Sequence, residues 1–101
     1  VDFVPPKKDI QGVILSNRGR NLMFTMNDVV YIDQGEEDGV EKGDRLQVYV
    51  YPLNVDEDEE DMNPEVIGEI VIISIQEDTS TGVILTAADP IFPGQKVRSK
   101  P

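Results

Sequence analysis

Apolar residues along this chain alternate with polar ones over short runs, and Gly, Asn, Asp and Pro stand between the runs. A two-residue period is the mark of strands, in which successive side chains point to opposite faces. Residues 45–51 show it most clearly, with Leu46, Val48 and Val50 on one face and Gln47, Tyr49 and Tyr51 on the other. Residues 29–33 repeat it, with Val30 and Ile32 against Tyr31. Residues 11–17 place Val13 and Leu15 opposite Ile14 and Ser16, and residues 22–26 offer a shorter candidate. Residues 65–77 are long and apolar on both parities, which predicts a strand buried on both sides for part of its length. Gly68 sits within it where a bulge would turn a corner. Residues 82–88 follow, with Val83 and Leu85 on one face, and residues 96–100 close the series with Val97 inward.

No stretch carries a helical period of useful length. About six short strands in a chain of 101 residues predict an all-β domain, a small closed or partly open barrel that hides its strand edges. A two-sheet sandwich needs similar patterning and is the alternative. Residues 1–8, with Pro5-Pro6-Lys7-Lys8, read as the end of a linker. Residues 9–101 then form one domain, with an acidic loop over 56–64. The start Val1-Asp2-Phe3 is expected of a piece cut from a larger protein. No apolar run approaches the roughly 20 residues of a membrane-spanning helix.

Charge adds a second pattern. The chain has 20 acids, 9 bases and a net charge of −11. Residues 28–78 hold nearly all the acidic excess, with only Lys42 and Arg45 as bases, and it peaks in the run Asp56–Asp61. Six consecutive acids do not pack in a core, so this run is expected to be a solvated loop. It does not match the EF-hand spacing, because the sixth position is Asp61 and the twelfth Ile67. A strongly acidic surface repels phosphate, which argues against nucleic acid as a partner.

The chemistry available is narrow. There is no Cys and no His, hence no thiolate, no imidazole base and no metal site built from either. Neither a metal nor another cofactor is expected. Gly35, Gly39 and Gly43 lie among carboxylates, which suits tight turns and not a phosphate cradle. Asp78-Thr79-Ser80 resembles the Asp-Thr-Gly of aspartic proteases only in its first two residues. A dimeric acid hydrolase around Asp78 is therefore a third reading, and the expectation is no enzyme. Thr79, Ser80 and Thr81 suit a hairpin turn or ordinary loop. Tyr49 and Tyr51 are the candidate contact residues. With Leu46, Val48 and Val50 inward, they lie side by side outside, to shield the sheet or to grip a sugar or a partner.

One connected pattern runs through the chain. Val29-Val30-Tyr31-Ile32-Asp33-Gln34-Gly35 leads to Asp38-Gly39-Val40, then to Lys42-Gly43-Asp44 and Val48-Tyr49. It continues as Val66-Ile67-Gly68-Glu69-Ile70-Val71-Ile72, Thr79-Ser80-Thr81-Gly82-Val83-Ile84 and Pro93-Gly94-Gln95-Lys96-Val97. The pattern resembles the C-terminal β-domain that accompanies LysM peptidoglycan-binding modules in bacterial envelope proteins. It is similar to the C-terminal domain of the flagellar assembly protein T family. Its later half is also similar to the β-domain of a rod-shape-determining protein family. The resemblance implies a place in the periplasm or cell envelope and a non-catalytic binding or assembly role. The partner would be an envelope protein, or the cell wall through an upstream module. The LysM module itself is absent from the sequence, so direct glycan binding is not implied. A carbohydrate-binding module using the outward tyrosines is the alternative.

Overall fold

The structure, a computed structural model, describes residues 9–16, 23–51 and 64–100. Six strands form a closed, wholly antiparallel barrel. They are β1 (Gln11–Leu15), β2 (Val29–Ile32), β3 (Arg45–Val50), β4 (Glu65–Ile75), β5 (Ser80–Ala87) and β6 (Lys96–Ser99), in the ring order β1-β2-β5-β4-β3-β6. The expected barrel is thus present and fully closed, and the sandwich is not adopted. Closure leaves no strand edge open. The last strand seals it: β6 pairs with β1 through Gly12↔Val97 and with β3 through Val48↔Val97.

The core fills the interior with branched aliphatic side chains. Ile14, Val30, Ile32, Leu46, Val48, Ile70, Ile72, Ile84 and Val97 come from the strands, and Ile10, Phe24, Val40 and Ile91 plug the ends. Burying each such side chain contributes roughly 1.5–3 kcal/mol, which sets against the entropy of ordering the chain. Leu46, Val48 and Val97 point inward as expected, and of the two faces that the alternation of 29–33 allowed, Val30 and Ile32 take the inner one.

Two expectations need correction. β4 is not buried on both sides: Ile70 and Ile72 are buried, Val71 is half-buried and Ile73 is 48 % exposed. The mixed parity arises because β4 carries an extra residue at Ile67, opposite the shift between Val48 and Tyr49, and another at Ile73, between Ile72 and Ser74; the shift between Glu69 and Ile70 has its extra residue, Leu85, on β5. Each bulge swaps the face that the next residue presents. Gly68 lies amid these shifts, where a Cβ would come within 2.7 Å of the Thr86 carbonyl. In β5, Val83 and Leu85 share a face as expected, the half-buried outer one, and Ser80, Gly82 and Ile84 are the inward residues. Gly82 faces the core because a Cβ there would meet Ile70 at 2.3 Å. Over the described residues 23–26 of the expected strand no strand forms; Phe24 makes a single bridge to Ile91, and Asn27 at φ 74 turns the chain away. Leu22 of that expected strand, the turn at 17–21, the linker at 1–8, most of the acidic loop at 56–64 and Pro101 lie outside the described residues.

One turn design introduces three of the strands. In Thr25–Asp28, Glu41–Asp44 and Phe92–Gln95 the fourth residue's amide donates to the first residue's carbonyl, at 3.0, 3.1 and 3.2 Å. The third residue (Asn27, Gly43 or Gly94) has positive φ. The fourth residue's side chain (Asp28, Asp44 or Gln95) accepts the first residue's amide at 2.8–2.9 Å. Positive φ at the third position is the type II requirement, which Gly and Asn meet at low cost. Gly39, at φ 88, closes the short 3₁₀ turn η1 (Glu36–Asp38) in the same conformation.

Candidate binding face

The outer surface of β3 and β6 gathers the side chains with binding chemistry. Because Leu46 and Val48 face inward, Arg45, Gln47 and Tyr49 face out; because Val97 faces inward, Lys96 and Arg98 face out. The β3–β6 register sets Tyr49 opposite Lys96 and Gln47 opposite Arg98. Arg98 lies on the diagonal from Tyr49, and its guanidinium carbon sits 5.0 Å from the ring centroid, a cation–π contact. The Arg98 Nε is shut off from solvent and has no hydrogen-bond partner. Tyr51 meets Tyr49 edge to face, with centroids 5.9 Å apart and planes at 88°. Such a pair contributes about 0.5–1.5 kcal/mol beyond its buried area. Tyr51 remains 43 % exposed.

On its other side Tyr49 pairs with Val66 of β4, which is 42 % exposed. Val66 and Met26 border an open groove of about 420 Å³, and Met23 borders a second of about 380 Å³, which shares Ala87 and Ala88 with the first. Tyrosine, valine and methionine therefore make one apolar strip beside the basic row. Neither tyrosine lines these two grooves, and Asp78 lies exposed in the β4–β5 turn away from both. The turn at Asp78 is tight, with the Gln76 amide donating to the Thr79 carbonyl at 2.8 Å. Ser80 and Thr81 are already strand, and Ser80 is wholly buried with an unpaired hydroxyl.

Glu69 completes the basic row. Its Oε2 takes Arg45 Nη1 at 2.9 Å and its Oε1 takes Lys100 Nζ at 2.9 Å. These two cations, the Lys100 hydrogen bond first, hold the carboxyl below its usual range against the opposing effect of partial burial. Of the basic residues among the described positions, Lys42, Arg45, Lys96, Arg98 and Lys100, all but Lys42 stand on this face. The sequence carried a signal for the row in the alternation Lys96-Val97-Arg98-Ser99-Lys100. Its juxtaposition with Tyr49 needed the β3–β6 register.

Most of the described carboxylates collect elsewhere. Glu36, Glu37, Asp38, Glu41, Asp44, Glu77 and Asp78 crowd one end of the barrel, where η1 hangs from the β4–β5 turn through the Glu36 and Glu37 amides. They form no cluster able to hold a metal among the described residues. No described helix is long and apolar enough to cross a membrane. No protein-family model matches the chain, and no curated protein matches it in sequence.

Proposed function

We propose that this barrel is a non-enzymatic binding and assembly module whose contact surface is the outer face around Tyr49 and Tyr51. The observation that carries this reading is the edge-to-face tyrosine pair on the outer face, Tyr51 exposed and Tyr49 half-buried, flanked by Arg98 on one side and by Val66 on the other. Aromatic residues and arginine at the centre of an apolar strip, with a polar surround, are the composition of interface hot spots. The interior is packed and the edges are closed, so a partner is met by side chains on the outer face and not by strand addition. The resemblance to LysM-associated and flagellar assembly domains adds the setting: the periplasm or cell envelope of a bacterium, with an envelope protein or the wall as partner.

The alternative, a carbohydrate-binding module, draws on the same tyrosines. Their planes stand perpendicular and Arg98 covers a face of Tyr49, so they do not present one flat platform to a sugar ring. Geometry therefore favours a protein contact.

The test is retention of the purified chain by bacterial envelope fractions, beside bare peptidoglycan sacculi. Retention by protein-containing envelopes that falls about tenfold or more in Tyr49→Ala and Tyr51→Ala supports the reading. Retention unchanged in both variants, or an absence of retention, removes it. Binding to bare sacculi that survives high salt and needs both rings supports the carbohydrate alternative.

A further inference from the structure

We infer that the partner offers this face a short, extended, acidic peptide segment, with carboxylates that meet Lys96 and Arg98. This deepens the proposed function and rests on it.

The argument starts from where charge is unmatched. Lys96 and Arg98 have no carboxylate partner among the described residues, in a chain with 20 acids. Beside them, Glu69 shows how the face holds a carboxylate, one oxygen to Arg45 and the other to Lys100. Further carboxylates laid over Lys96 and Arg98 would extend that arrangement along the row. Arg98 is already held in place, with its guanidinium carbon over the Tyr49 ring at 5.0 Å from the centroid. A guanidinium fixed in this way loses less freedom when it binds a carboxylate through two hydrogen bonds.

Spacing sets the form of the ligand. Lys96 and Arg98 are two residues apart on a strand, so their side chains emerge about 7 Å apart. Carboxylates at alternate positions of an extended peptide have the same repeat. Net charge sets its size. At physiological salt, charges interact across about 8 Å, so a short segment feels mainly the basic row. A long polyanion such as nucleic acid or an anionic polysaccharide would also meet the rest of a −11 molecule.

The experiment is an NMR titration of the 15N-labelled chain with an eight-residue peptide of alternating Glu and Thr, with a Gln-for-Glu peptide as control. The expected result is shifts confined to the amides of Arg45–Tyr51 and Lys96–Ser99. The apparent affinity should fall at least about tenfold from low to high salt, and should be lost in Lys96→Glu/Arg98→Glu. Arg98→Lys should retain part of the binding. Unchanged thermal melting in these surface variants separates lost recognition from lost fold. An absence of shifts at millimolar peptide, equal shifts from the Gln peptide, or shifts elsewhere overturn the inference. So does tighter binding of heparin or oligonucleotide than of the peptide. If the tyrosine substitutions abolish envelope retention while Lys96→Glu/Arg98→Glu leaves it intact, the binding module stands and the acidic segment falls. If the charge variant abolishes retention and the tyrosine variants do not, the aromatic contact falls instead.

Discussion

The carboxylates that cap turns and the bases on the β3–β6 face are both charged surface groups, yet they do different work. Asp38 accepts the Gly35 amide, Asp44 that of Glu41, Asp28 that of Thr25, and Asp33 reaches from the end of β2 to the Val13 amide of β1 at 2.8 Å. Each satisfies a backbone donor that a turn or a strand end leaves open. Lys96 and Arg98 accept no such duty. Their strand, β6, is paired on both sides through its backbone, and of the two side chains Arg98 meets the Tyr49 ring. Four of the described carboxylates are thus architectural, whereas Lys96 and Arg98 hold no backbone group among the described residues. Abundance of a residue type is a poor guide to where binding occurs.

Substitutions can break this division or sharpen it. The largest effect is expected at Gly35, which anchors the acidic end. An added Cβ would lie 2.5 Å from the Thr79 nitrogen and 2.6 Å from the Gln76 carbonyl, both backbone atoms with little room to move. Gly35→Ala should cost about 2–3 kcal/mol, read as a fall in Tm on the order of 10 °C. A melt within a degree or two of the parent would show that η1 swings away freely. Next comes Asp33→Ala, which strands the half-buried Val13 amide and should cost about 1–2 kcal/mol by urea titration. A neutral result would make this carboxylate as dispensable as the bases. Lys96→Ala and Arg98→Ala should each change stability by no more than about 0.5–1 kcal/mol, Arg98 more because of its ring contact, while weakening binding of the acidic peptide.

The smallest effect belongs to Glu69, which belongs to the basic face but is itself an acid. Its folded-state pKa is lowered, so its contribution is fully present above the ordinary carboxylate value of 4.5 and is lost as pH falls through the lower folded value. Glu69→Gln should therefore be slightly less stable than the parent at neutral pH, with the gap closing below about pH 4.5. A gap that persists into strong acid would assign Glu69 a packing role instead. The pair residues are part-exposed, at 54 % for Arg45 and 45 % for Lys100, so added salt should shrink the difference as well.

Much of the barrel was legible because short strands announce themselves by alternation and by the residues that end them. Lys42-Gly43-Asp44 and Pro93-Gly94-Gln95 are turns that the residues dictate almost alone. What failed was parity in β4, since a bulge leaves no residue-level sign of which face follows it. The inward face of β5 was also hidden, because Gly82 and Ser80 are there for want of space and not for hydrophobicity. At the binding face, Tyr49 beside Tyr51 followed from strand period within one segment. The guanidinium on Tyr49 did not, since it depends on a ladder between residues about fifty positions apart. Local rules reach across one strand, and the site is assembled across two.

The position of β6 between β1 and β3 has a kinetic corollary. Neither neighbour can complete its ladder until the segment from Lys96 onward has been made and has returned across the molecule. The nucleus must gather distant parts of the chain before closure repays the lost entropy, so folding belongs in the millisecond-to-second range of non-local β topologies. During synthesis the edges of β1 and β3 stay open to other chains for as long as that last strand is missing. A chain stopped before Lys96 should accordingly associate rather than remain a loosened monomer, which size-exclusion chromatography would register directly.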